Sequence, residues 1–216
     1  MEWIFKLLTI VFAYLLGSIP TSIWIGKVFY NIDIRDHGSG NAGATNTFRI
    51  MGAKAGFFVF FVDLLKGYAA VKLLYLTDFY IPETGFFTNF QLVLGMAAMI
   101  GHIFPVFANF RGGKGVATLT GVVLALHPWA TLITLGVFIV TLLLTKYVSL
   151  SSMLAAFTFP FILIFAFSNT TPSLIIFSMV IAVLLLFTHQ KNIERLLKGE
   201  EKRFKIKKKE KKEQSA

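Results

Sequence analysis

Apolar residues dominate this chain in long stretches, at 3–29, 55–76, 90–108, 115–145, 150–167 and 173–188, separated by shorter polar segments. Their lengths scatter around the roughly 20 mostly apolar residues that a helix needs to cross a bilayer. The fourth stretch is the exception, because its 31 residues would make a single helix of about 46 Å, against a hydrocarbon core of about 30 Å. His127 and Pro128 stand at its middle. A proline removes a backbone donor and disfavours helix at the residue before it, so the stretch reads as two short helices joined by a tight turn. The pattern predicts seven membrane helices.

Charge tests that count, since lysine and arginine collect in cytoplasmic loops. With seven spans and the N-terminus outside, Arg35, Arg49, Lys54, Arg111, Lys114, Lys146 and the C-terminal tail all fall inside, and the outer loops at 77–89, 127–128 and 168–172 hold no lysine or arginine. One undivided fourth span would place some of these basic segments outside. The expected fold is an all-α integral membrane protein of seven transmembrane helices with the C-terminus cytoplasmic. Residues 1–201 form one helical membrane domain and 202–216 a basic cytoplasmic tail, with no internal repeat. The first stretch is too long for a signal peptide and lacks a small-residue cleavage site.

Composition agrees: 56% of the 216 residues are hydrophobic and 15% charged, against about 45–50% and about 25% in soluble proteins. The net charge of +10 belongs largely to the tail, where Lys191 to Glu213 carries 11 Lys or Arg and 5 Glu. Such a segment suits anionic lipid headgroups, and no nucleic-acid partner is expected. Cysteine is absent, so disulfides and thiolate metal sites are excluded.

Polar residues inside the apolar stretches narrow the picture further. Asp63 and Lys66 lie three apart, on one helical face, and read as a neutralising structural pair. Gly17, Ser18, Pro20, Thr21 and Ser22 predict a kink or local opening in the first stretch.

Three polar constellations flank the spans. In the first, Gly38 to Arg49, the glycines Gly38, Gly40 and Gly43 free the backbone to turn its amides toward one point. Ser39, Asn41, Thr45 and Asn46 add neutral donors, and Arg49 a fixed positive fork. The formal G-x-G-x-x-G within it lacks a βαβ context, so a dinucleotide site is excluded. In the second, Phe110 to Thr118, Gly112, Gly113 and Gly115 surround Lys114 at a helix start, where free amides and the positive dipole end attract an anion. Walker spacing is absent. In the third, His189 to Glu201, His189 and Asn192 are three apart and share a helical face, with Ile193, Leu196 and Leu197 as an apolar stripe.

These blocks, with Gly101-His102 and Pro105-Val106-Phe107 leading into the second, together resemble the PlsY family of bacterial membrane acyltransferases. Arg111, where lysine is commoner, and the long tail are the departures. The resemblance implies transfer of a fatty acyl group from acyl phosphate to the 1-hydroxyl of glycerol 3-phosphate, yielding lysophosphatidic acid and phosphate without metal or cofactor. It implies that Ser39, Gly40, Asn41 and Thr45 cradle acyl phosphate, and that Arg49, Lys114, Ser152, His189 and Asn192 hold glycerol 3-phosphate. Ser149 and Ser151 crowd the same turn as Ser152. It further implies that the acceptor's own phosphate takes the proton, a site facing the cytoplasm from the inner membrane, and a functional link to a soluble enzyme that makes acyl phosphate. A His-x4-Asp acyltransferase is excluded, because no histidine here has Asp five residues later. The competing expectation is an organophosphate or anion transporter, which should spread ionisable groups near the midplane of several helices; here Asp63, Lys66 and Lys72 all enter one stretch, the second.

Overall fold

The computed structural model of the protein describes residues 2–77, 84–167 and 170–204, and every regular element among them is helical. Residues 78–83 and 168–169 of two predicted outer loops, and the tail from 205, lie outside the described residues. The first apolar stretch forms α1 (Glu2–Gly17) and α2 (Thr21–Tyr30), bent by 41°. The break falls at Ser18, Ile19 and Pro20, where proline has no N–H to continue the ladder. The glycine-rich segment that follows turns helical at Ala44 to give α3 (Ala44–Met51).

α4 (Ala53–Lys72) and α5 (Gly85–Ile103) occupy the next two stretches. The long fourth stretch divides where its sequence predicts, into α6 (Val116–Leu126) and α7 (Pro128–Thr145). His127 caps the second helix by accepting the Ala130 amide at Nδ1 (3.3 Å), while Pro128 sits in the first turn, where its missing N–H costs nothing. α8 (Val148–Ala166) and α9 (Pro172–Thr188) follow, and α9 bends by 63° into α10 (Gln190–Leu197).

Among the described residues three helices can cross a membrane alone by length and apolarity, α5 with its following turn, α7 and α8, or five if each bent pair counts as one span. The other two of the expected seven are α4 and α6. α4 carries Lys54, Asp63, Lys66 and Lys72, and α6 has 11 residues, about 16 Å, or half a hydrocarbon core. These two pack along each other more extensively than any other pair of helices, and α4 also touches α1, α2, α3 and α5. A helix with so much of its surface against protein does not need a lipid-compatible sequence all round.

Their contact depends on small residues. A Cβ on Gly67 of α4 would stand 2.0 Å from the Thr118 carbonyl oxygen, and one on Gly121 of α6 would stand 1.9 Å from that of Leu64. Each helix thus lays its backbone against a glycine of the other, as membrane helices do where lipid supplies no hydrophobic drive for association. Around this contact Val71, Met99, Val122, Leu163 and Leu185 form a buried core drawn from five helices. Gly121→Ala is expected to destabilise the bundle by about 1–3 kcal/mol through overpacking. Gly136→Ala on α7, whose Cβ would meet nothing within 4 Å, should be neutral; thermal unfolding in detergent compares the two.

Candidate active site

The three constellations meet at one end of the bundle, around a cavity of about 450 Å³. Ser39, Asn41, Gly43, Thr45, Asn46 and Arg49 line it from the first loop and α3, Lys114 and Gly115 from the second loop, His189 and Asn192 from the α9–α10 bend, and Ser152 from α8. Two helix N-termini open on it. Gly43 precedes α3 and Gly115, with φ of +85°, precedes α6, and neither helix has a side-chain cap. First-turn amides without such a cap carry the positive end of the helix dipole and suit an anion. Thr45 and Arg49, four apart on α3, share a face.

Several expected ligands serve the scaffold instead. The Asn46 amide, buried at 2% exposure, accepts from the Ser39 N–H (3.0 Å) and donates to the carbonyls of Ile34 (3.1 Å) and His37 (2.9 Å), so its hydrogen bonds curl the loop around Gly38 and Gly40. Gly40, Gly112 and Gly113 are not part of the cavity lining. Gly40 has φ of +72° and turns the loop. Gly112 and Gly113 donate their amides to the carbonyls of Ile103 and His102 (both 3.1 Å), which braces the Lys114 loop on the end of α5. Arg35 ties the first loop to the same region by donating to the Ala108 carbonyl (3.0 Å) while paired with Asp33 (2.7 Å).

Lys114, Asn192 and Glu201 make a continuous chain. Lys114 Nζ donates to Asn192 Oδ1, and Asn192 Nδ2 donates to Glu201 Oε1 (2.6 Å). Ser149 Oγ donates to the same oxygen (2.6 Å) and Arg195 Nε to the other (2.9 Å). Burial resists ionisation of Glu201, but the hydrogen bonds from Ser149, Asn192 and Arg195 outweigh it and hold the carboxyl below its ordinary range. Burial is also the main influence on Lys114, lowering its ammonium to about 8; Glu201 opposes this, and Arg195 and Arg49 reinforce it. Burial, then the Lys114 charge, lower His189 to about 4, against the opposing pull of the Leu185 carbonyl and Glu201.

His189 is therefore neutral at physiological pH. Its Nδ1 lies 2.8 Å from the Leu185 carbonyl oxygen, which can only accept, so the ring carries its proton on Nδ1 and leaves Nε2 as an acceptor. The site thus combines an anion-binding region with a neutral imidazole suited to receiving a hydroxyl hydrogen bond.

Glu201, Ser149, Arg195, Asp63, His102 and an apolar wall of Phe57, Phe60, Phe138, Leu142 and Val148 also line the cavity. Of these, Arg195 and Glu201 stood within the third constellation, Ser149 three residues before Ser152, His102 in the Gly101-His102 pair and Asp63 in the ion pair with Lys66. The apolar wall had no signal, since its members look like any lipid-facing residues.

A family model described as glycerol-3-phosphate acyltransferase matches residues 7–199. A glycerol-3-phosphate acyltransferase of Staphylococcus carnosus (strain TM300) is 46% identical over 200 residues, covering 92% of this chain and 97% of that protein. One from Listeria monocytogenes serotype 4a (strain HCC23) is 48% identical over 193 residues, covering 89% and 93%. Among solved structures, PlsY (YgiH), an integral membrane glycerol 3-phosphate acyltransferase, matches in its glycerol 3-phosphate form with a TM-score of 0.83 and 38% identity over 93% of this chain and 96% of that one. Its lysophosphatidic acid form matches with a TM-score of 0.80 and 38% identity, covering 93% and 95%.

The lowered Lys114 value has a measurable consequence. From pH 7.5 upward, where phosphate is already largely dianionic, affinity for inorganic phosphate should fall as the pH rises through about 8, by up to about tenfold per unit, because the neutral amine offers no charge. Lys114→Arg should abolish that step, since guanidinium stays charged beyond about pH 12. Calorimetric titration of the detergent-solubilised protein from pH 7.5 to 9.5 reads both; a flat wild-type profile would contradict the assignment.

Proposed function

The chain belongs to the glycerol-3-phosphate acyltransferase family and is an integral membrane acyltransferase of glycerol 3-phosphate, and we propose that its acyl donor is an acyl phosphate, handled in the cavity described above. The observation that carries this is the cavity's composition. Its two uncapped helix N-termini, Arg49 and Lys114 suit phosphate, and Phe57, Phe60, Phe138, Leu142 and Val148 suit an acyl chain. A lipid-like donor with a phosphate head fits both parts. Membership of the family sets aside the transporter expectation.

In this scheme Ser39, Asn41 and Thr45, with the first-turn amides of α3, hold the donor phosphate. Arg49, Lys114, Ser152 and Asn192 hold the phosphate of glycerol 3-phosphate. His189 Nε2 accepts a hydrogen bond from the 1-hydroxyl and aims it. Hydroxyl oxygen attacks the acyl carbonyl carbon, a new C–O ester bond forms, and the C–O bond to the donor phosphate breaks, releasing inorganic phosphate. The hydroxyl proton passes to the acceptor's own phosphate dianion, because His189 at about 4 is too weak a base to hold it. No metal or cofactor is required. Acyl phosphate is already activated, so holding the reactants together and stabilising developing charge supply the catalysis, effective molarity alone being worth roughly 7–11 kcal/mol.

For topology, the α1–α2 pair and α4, α5, α6, α7, α8 and α9 are assigned as seven spans, with the N-terminus outside and α10 on the inner surface of the bacterial cell membrane. The distribution of arginine and lysine supports this orientation. Residues 1–201 are the acyltransferase domain. A soluble enzyme that makes acyl phosphate supplies the donor, and the composition of the basic tail suits anionic lipid.

Purified protein given acyl phosphate should release inorganic phosphate only when glycerol 3-phosphate is present. Lys114→Ala and Arg49→Ala should each lower kcat/KM by about a hundredfold or more, as loss of a buried charge-assisted contact implies. Release that ignores the acceptor would refute the donor assignment. The cysteine-free sequence also allows orientation to be read by single substitutions. In intact cells an impermeant maleimide should label Thr77→Cys, and should reach Lys54→Cys, Lys146→Cys and Lys198→Cys only after permeabilisation. Labelling of any of the latter three from outside would overturn the topology.

A further inference from the structure

Behind the cavity, at the level where α1 breaks from α2, two charged side chains are buried almost completely: Asp63 at 2% and Lys66 at 5% exposure. Inserting such a group into a membrane helix costs about 2.5–3.5 kcal/mol even on the lenient scale. A well-packed apolar pair often replaces a buried ion pair with no loss of stability. Stability alone is therefore a weak reason for this pair, and its contacts point elsewhere.

Lys66 Nζ lies 2.7 Å from Asp63 Oδ1 and donates to the Ile19 carbonyl (2.8 Å), while Asp63 Oδ1 accepts from Thr21 Oγ1 (3.2 Å). The pair thus grips the first apolar stretch on both sides of Pro20. On its other side, Asp63 Oδ1 is 3.8 Å from Nδ1 of His102, in the last turn of α5. The His102 carbonyl accepts the Gly113 amide (3.1 Å). Its ring lies so close to Gly113 that a Cβ there would stand 2.2 Å from Nε2 and 2.9 Å from the Ala42 carbonyl oxygen of the first loop. Gly113 is wedged between His102 and the glycine-rich loop, and the next residue is Lys114. Asp63 and His102 also reach the cavity wall themselves.

We propose that Asp63, Lys66 and His102 form a positioning cluster that sets the register of Lys114 against the first loop, and so governs how the phosphate of glycerol 3-phosphate is held. The path runs from the ion pair to the α2 start and the α5 end, from His102 to Gly113, and from Gly113 to the lysine one residue on. Displacement of a binding group by about 1 Å is enough to cost up to a hundredfold in rate. The inference rests on the cavity being the glycerol 3-phosphate site.

Two variants test it. Asp63→Leu combined with Lys66→Leu removes both charges while keeping apolar bulk, and His102→Phe keeps a ring without its nitrogens. Each is expected to raise KM for glycerol 3-phosphate about tenfold or more while the thermal midpoint in detergent stays within a few degrees of wild type and KM for the acyl donor changes less. A cluster that only stabilises the bundle would shift the midpoint and leave the KM of the folded fraction unchanged. A folded His102→Phe protein with wild-type KM overturns the proposal by itself, even if the double variant fails to assemble. Wild-type protein assayed alongside separates the failures, since its inactivity with acyl phosphate would count against the donor and not against the cluster.

Discussion

The hydrogen bond from Lys114 to Asn192 is the contact through which separate loops become one site. A lysine ammonium drawn out of water must find acceptors or surrender its proton. Here it does some of both, with its pKa lowered to about 8 and Asn192 receiving one N–H. Asn192 can serve because its own amide is held by Glu201, which also engages Ser149 and Arg195. α8, α10 and the second loop are thus connected through a few polar atoms. The same carboxylate offsets the cations that surround it, so the proposed phosphate site can hold a cluster of positive charge.

An anion site of this kind needs few charged side chains, because backbone supplies much of the field. The starts of α3 and α6 present free amides where a side-chain cap would otherwise sit. Glycine at the turn, with φ of +85° at Gly115, lets the chain enter the helix with those amides directed outward. An apolar wall beside this polar end allows a substrate with a lipid tail and a phosphate head to satisfy both halves at once. The activated donor proposed above asks for placement more than for strong acids or bases, which agrees with a histidine lowered to about 4.

Below the site, the bundle brings backbones close where it needs rigidity and inserts charge where its helices break. Gly67 and Gly121 let α4 and α6 touch through their main chains, so that the short α6 and the charged α4 support one another. Pro20 interrupts the first apolar stretch, and Lys66 reaches a carbonyl at that interruption. Irregular backbone at membrane depth is tolerated where it is buried in protein, as this break is.

Much of this was legible along the chain. Apolar run lengths and the His127–Pro128 break are local properties, and they located the helices, including the division of the long fourth stretch, because proline chemistry acts on its neighbours. The glycines with Ser39, Arg49 and Lys114 marked anion chemistry by residue type, while the roles of His189 and Asn192 came from the family resemblance. Tertiary structure alone decided which of the polar groups keep donors free for the cavity. Asn46, Gly112 and Gly113 carry donors suited to phosphate, but their hydrogen bonds are committed to backbone carbonyls that lie distant in sequence or across a turn. Tertiary structure also decided that Glu201, of ordinary appearance in a basic tail, sits among the cations, and that Phe57, Phe60 and Phe138 leave the lipid-facing background to line a pocket. A sequence specifies what each side chain is able to donate, accept or exclude; which partner it meets depends on helices packed from across the whole chain.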